Sequence, residues 1–287
     1  MHKVFTRAIA DFAAVLIFSS LATSQIARPQ QATHDVSSWK YDGRDRSVGS
    51  GGPAPVHDLS GSWAGPRSGA GVPDSKGGET PSMTPLGQKL FSANKSLQKF
   101  NPAGTNDAVV RTCDPIGFPR ADTYSIMTLS FAAMPHRIVV LYPFQQNWRE
   151  IWTDGRELPK DVGRTEKGAP DPRYFGYSVG HWDGDHTFVV DTTGVDDRTW
   201  LNDAGYPHTI DAHMQERFTR TDYNDLEVTV TVDDPKLYTK ALSLGTEYFR
   251  WVPNQLLDER LCIPSDVIEY LNAVGDPAGS GSGASNR

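Results

Sequence analysis

Across residues 58–274 apolar and polar positions alternate in short runs broken by turn residues, and helical periodicity is sparse. The clearest run is 226–232, where Glu227, Thr229 and Thr231 interleave with Val228, Val230 and Val232. A period of two sets one face of a strand on a core and the other in water. Runs at 124–132, 137–143 and 147–153 read as a meander that turns at Met134-Pro135-His136 and Gln145-Gln146. Runs at 174–182 and 187–192 flank Asp183-Gly184-Asp185, a hairpin cue because Asp and Gly tolerate positive φ. Runs at 213–221 and 226–232 flank a second turn, Asp222-Tyr223-Asn224-Asp225. A closing strand is expected at 246–252, and Gly61-Ser62-Trp63 opens the first one. Helices are expected at 87–99 and 264–273. The second has Pro264 at a first-turn position, Asp266 and Glu269 near it, and Val267, Ile268 and Leu271 on one side.

The fold class is therefore all-β and mainly antiparallel. Eight or nine strands must manage their edges, and closure into a barrel removes them. A barrel of about eight strands is wide enough to hold one small ligand. The expected architecture is an eight- to nine-stranded barrel with one or two short helices; a two-sheet sandwich is the alternative.

The ends of the chain read differently. His2, Lys3 and Arg7 precede an apolar segment at 12–21, and Ala22-Thr23-Ser24 supplies small residues at the spacing of a cleavage site. That segment is too short for a bilayer, which needs around 20 apolar residues, so an uncleaved anchor is the weaker reading. Residues 25–57 are polar and rich in Gly, Pro and Ser, and 275–287 are of low complexity. The expected organisation is a signal peptide at 1–24, a disordered linker at 25–57, a β-barrel domain at 58–274 and a disordered tail at 275–287. The mature protein is then periplasmic or secreted, with no integral membrane span. A net charge of -7 supplies no basic footprint for nucleic acid.

Export changes the meaning of the two cysteines. In an oxidising compartment a pair forms a disulfide, here Cys113 with Cys262, which closes nearly the whole domain into one loop. Two separate buried thiols are the alternative. A zinc site is disfavoured, because structural zinc ligands come in close pairs.

Four segments carry candidate chemistry. Gly176-Tyr177-Ser178-Val179-Gly180 matches the nucleophile elbow of α/β-hydrolases, yet it lacks the strand–turn–helix context that exposes such a serine. His181, Asp183, Asp185, His186 and Asp191 are potential metal ligands, but turn chemistry already accounts for them, and no metal or other cofactor is expected. In 208–220, His208 and His213 are candidate general bases, and Glu216 and Arg220 share a strand face, where a guanidinium would hold the carboxylate ionised. In 147–156, Trp148, Glu150, Trp152 and Asp154 share one face, Arg149, Ile151 and Thr153 the other, and the tryptophans are suited to wall a pocket.

Five motifs together resemble a large group of exported, mostly uncharacterised bacterial proteins. They are the segments 58–63 (DLSGSW), 113–120 (CDPIGFPR), 152–156 (WTDGR), 178–185 (SVGHWDGD) and 216–218 (ERF). The resemblance covers about 58–262. It implies an extracytoplasmic barrel with a lipocalin-like strand pattern, and Gly61-Ser62-Trp63 is similar to the Gly-x-Trp that opens lipocalins. It carries no catalytic assignment.

The leading expectation is a lipocalin-like protein that binds a small, partly apolar molecule in a barrel cavity through Trp148, Arg149, Trp152, Arg156, Tyr177 and Arg220. The alternative is an enzyme, a lyase, isomerase or hydrolase, using His208, His213, Glu216 and Asp154 on a small-molecule substrate in the same cavity. A serine hydrolase acting through Ser178 is a lesser third.

Overall fold

In the computed structural model, residues 51–65, 76–102, 104–123, 128–257 and 259–275 are described. The expected signal peptide, most of the linker, nearly all of the tail and the start of the 124–132 run lie outside them. The barrel lies within one compact unit.

Ten strands form one sheet: β1 (Gly61–Ala64), β2 (Lys76–Gly77), β3 (Thr128–Met134), β4 (Arg137–Tyr142), β5 (Asn147–Trp152), β6 (Tyr177–Asp183), β7 (Thr187–Thr193), β8 (His213–Arg220), β9 (Asp225–Asp233) and β10 (Leu242–Trp251). Nine of them close a ring in the order β1-β3-β4-β5-β6-β7-β8-β9-β10, because β1 pairs with both β3 and β10; β2 lies against β10 outside the ring. The register Trp63↔Leu129 and Trp63↔Trp251 closes the ring, so the sandwich alternative is overturned.

The turns form where the sequence places them. Gln145 and Gln146 carry φ of 56° and 50°, His136 65° and Gly184 70°, the left-handed values that tight β-turns use. The strands bury alternate residues, as β8 shows with Met214, Glu216, Phe218 and Arg220 inside. Leu242–Trp251 starts before the expected 246–252 and carries a bulge between Ser243 and Thr246. Gly61, at φ 109°, lets β1 close onto β10: a Cβ there would sit 2.4 Å from the Trp251 indole nitrogen.

Among the described residues, four short helices decorate the ring: α1 (Pro85–Ala93), α2 (Ala108–Arg111), α3 (Arg120–Thr123) and α4 (Pro264–Tyr270), the last running into a π turn at Leu271–Gly275. Thr84 caps α1 by accepting from the Gly87 N–H at 3.1 Å. α2 and α3 are one turn each, too short for a periodic signal. The lumen is filled by Trp63, Phe131, Val140, Ile151, Phe188, Met214, Phe218, Val230 and Phe249, with Phe131 and Phe218 edge to face at 5.2 Å. Cys113 and Cys262 are disulfide-bonded, with Cα atoms 5.4 Å apart, and join the segment before α3 to the segment before α4.

Candidate functional site

One pair of neighbouring strands departs from the antiparallel pattern. β5 and β6 run parallel, joined by the long excursion 153–176, and pair only at Ile151↔Ser178 and Trp152↔Val179. The wall is consequently open beside the first half of β5, and a cavity of about 590 Å³ occupies the seam. Small-molecule sites have volumes of this order. It lies in the wall, whereas a ligand chamber in the lumen was expected; the lumen is packed with side chains.

Arg149 forms the floor. Its neighbour on the same face of β5 is Ile151, so alternation points both inward. The Arg149 guanidinium donates to Glu216 Oε2 at 2.5 Å, Thr192 Oγ1 at 2.7 Å and Ser178 Oγ at 3.0 Å, and lies 3.6 Å from an Asp122 oxygen. The Phe118 ring lies 4.0 Å from its central carbon. The Ser178 and Thr192 hydroxyls are 3.0 Å apart. Arg149, Asp122, Glu216, Ser178 and Thr192 are all buried.

Burial pushes Glu216 well above the usual glutamate range; Arg149 opposes the shift and Asp122 reinforces it. Burial likewise raises the Tyr142 phenol, helped by Asp122. Burial disfavours the charge on Arg149, but Glu216, Tyr142 and Asp122 outweigh it and hold the guanidinium protonated.

The walls of the seam are aromatic. Trp148 is 64% exposed and stands at the mouth. Trp152 carries the Arg156 guanidinium at 3.5 Å and Arg137 at 5.2 Å. Tyr177 carries Arg173 at 4.7 Å, and Phe175 stacks on Tyr142 at 5.3 Å. Of the residues expected to bind ligand, Trp148, Arg149, Trp152, Arg156 and Tyr177 line this one cavity.

The remaining expected residues lie elsewhere. Arg220 does not pair with Glu216, whose partner is Arg149. It stacks on Trp63 at 5.0 Å and donates to the carbonyls of Asp58 and Tyr223. His208 is buried, with Nε2 2.9 Å from Thr199 Oγ1 and Nδ1 3.2 Å from the Thr209 carbonyl oxygen. His213 stands on the outer face of β8, 3.1 Å from Asp191. Asp154 closes a surface turn and accepts from both Nε and Nη2 of Arg156, which holds its carboxyl at about 2. The four expected catalytic groups therefore do not converge.

Ser178 is inside strand β6 with Arg149 and Thr192 as its partners, so the elbow motif forms no elbow. Asp183 pairs with Arg217 at 2.6 Å, and among the described residues no three His, Cys, Asp or Glu side chains gather as a metal site.

Phe118, Asp122, Tyr142, Arg173 and Thr192 belong to the site and escaped the sequence reading. Phe118 and Asp122 arrive through the segment before α3 and α3 itself, which have no periodicity to read. Arg173 lies on the long excursion.

The fold and seam define a closed, lipocalin-like β-barrel with a buried polar cluster behind a wall cavity. No protein-family model matches the chain, and the comparison with curated proteins finds no similar one.

Proposed function

We propose that the protein is an exported, lipocalin-like binding module that takes a small, partly apolar molecule into the β5–β6 seam. The observation that carries this reading is the seam itself: a cavity of about 590 Å³, walled by Trp148, Trp152, Phe175 and Tyr177, at the one parallel junction of the ring. Aromatic walls with a few convergent polar groups are the usual make-up of a small-molecule site. An acid–base enzyme needs a general base beside the substrate, and neither His208 nor His213 lines this cavity. Glu216 lies behind the Arg149 guanidinium, out of contact with solvent.

Export is supported by the basic, then apolar, then small-residue order of residues 1–24 and by the Cys113–Cys262 disulfide. No described helix is long and apolar enough to cross a membrane. Kinship with the exported bacterial group is supported by the gathering of its motif segments around one site. Phe118, Trp152, Arg156, Ser178 and Glu216 come from four of those segments and all border the seam or the cluster behind it.

Calorimetric titration with a neutral aryl alcohol, 1-naphthalenemethanol, tests the binding reading. Saturable one-to-one binding that weakens at least about tenfold in Trp148→Ala is expected, since loss of one exposed aromatic wall removes contact area without touching the core. Absence of saturable binding, or equal binding by the variant, rejects it.

A further inference from the structure

We propose that the seam selects a small anion with a flat apolar body, an aryl carboxylate in its simplest form, held by Arg173 and laid against Trp148. This rests on the ligand-binding reading above and names its ligand class.

The charges around the cavity carry the inference. Its two lining carboxylates each have a cation at ion-pair distance, Glu150 with Arg137 at 2.7 Å and Glu157 with Lys160 at 3.3 Å. Two of its guanidiniums are also spoken for. Arg149 is turned inward onto Glu216 and Asp122, and Arg156 spends its fork on Asp154. Arg173 differs: among the described residues it has no carboxylate at ion-pair distance, and its guanidinium lies over the Tyr177 ring at 4.7 Å. In a protein of net charge -7, the seam is thus left with one uncompensated positive group.

The chemistry of that group narrows the ligand. A guanidinium stacked on an aromatic face keeps its N–H edge free and pre-oriented, and that edge matches the two oxygens of a carboxylate. Trp148 offers an exposed indole face in the same cavity, which suits a flat apolar body. The backbone of Arg173, not its side chain, holds the fold: its N–H donates to the Gly194 carbonyl, and it bridges to Val195. The side chain is exposed and available for a ligand.

Two probes with the same ring system, 1-naphthoate and 1-naphthalenemethanol, are titrated into the full-length protein and into Arg173→Gln. The expected result is naphthoate about tenfold tighter than the alcohol in the parent protein, the increment of one charge-assisted pair at a partly exposed site. In Arg173→Gln the ratio of the two affinities falls to about one through loss of naphthoate binding, and in the parent protein added salt weakens naphthoate more than the alcohol. Arg173→Lys restores part of the preference. Equal affinities in the parent protein, or a preference that survives Arg173→Gln, overturn the anion inference and leave the binding reading standing. If neither probe binds a protein shown to be folded by circular dichroism, both fall together.

Discussion

The Arg149 guanidinium sits 2.5 Å from the Glu216 carboxylate, and both side chains are shielded from solvent inside a β-barrel. One comes from β5 and the other from β8, so the contact spans the lumen. Such a pair adds little to stability as a whole, because burial strips both groups of their hydration, but removing Arg149 leaves the Glu216 oxygens buried without their donor. Arg149→Met is therefore expected to destabilise the protein by about 3–5 kcal/mol in urea denaturation. Arg149→Met combined with Glu216→Leu should recover much of that loss. A single variant as stable as the parent would mean that water reaches the cluster.

Glu216 also titrates in an informative direction. Its folded-state pKa is raised, so the native state holds a proton that the unfolded chain releases. The stability from this group is complete below the ordinary glutamate value of about 4.3 and is lost as pH rises toward the folded value. Glu216→Gln fixes the neutral form. Relative to the parent, its stability should improve steadily as pH rises above about 4.3. Parallel stability–pH curves for the two proteins would refute this assignment.

Much of this was legible in the alternation of the strands. Ile151 marks the inward face of β5, and that face carries Arg149; Met214 and Phe218 mark the inward face of β8, and that face carries Glu216. Two opposite charges on two core faces imply each other, because neither is tolerated alone. The sequence instead paired Glu216 with Arg220, its neighbour on the same face, since face-sharing within a strand is readable and distance across a lumen is not. Asp122 was beyond reach for another reason: α3 is a single turn, and its placement depends on tertiary packing. The parallel β5–β6 junction was hidden too. Nothing in 153–176 announces that the chain crosses over before returning to the ring, so the opening it leaves could not be foreseen.

Arg220 belongs to barrel closure. Its guanidinium covers the fully buried Trp63 at 5.0 Å and donates to the Tyr223 carbonyl at 2.6 Å and the Asp58 carbonyl at 2.8 Å. Burial lowers its pKa. Arg220→Ala strands two carbonyls and uncovers Trp63, for a loss of about 2–4 kcal/mol. Lysine lacks the planar fork and should rescue little. Naphthoate affinity below the melting temperature should stay within about twofold of the parent value, since Arg220 does not line the seam. A selective loss of affinity in a stable variant would return Arg220 to the binding site.

His208 sets an acid limit. It is buried beside Thr199 and Thr209, and burial lowers its pKa below the usual histidine value; Thr209 and the nearby Asp234 oppose the shift. The unfolded chain then binds the proton first. The contribution is present above about pH 6.5 and is lost as pH falls through the lower folded value. Stability measured by denaturant should decline below about pH 6.5 in the parent and decline less in His208→Gln. Identical acid profiles would remove His208 from the account.

The Cys113–Cys262 bond tests how far the seam depends on its surroundings. It closes a loop of 149 residues, and restriction of so long a loop in the unfolded chain is worth on the order of 5 kcal/mol in the entropic account, with 2–5 typical of measured removals. The same corner of the barrel is held independently. Gln145 donates from its side chain to the carbonyls of Cys113 and Asp114, and from its backbone to the Arg260 carbonyl. Asp114 in turn accepts from the Tyr174 hydroxyl at 2.8 Å, and Tyr174 reaches the seam. These bonds do not require the sulfur link once the chain has folded. The paired variant Cys113→Ser, Cys262→Ser should therefore be less stable than the parent by about 2–5 kcal/mol at a common temperature, yet bind naphthoate within about threefold when assayed below its transition. Loss of binding in a variant that keeps its barrel circular dichroism would show instead that the disulfide positions the seam through Asp114 and Tyr174.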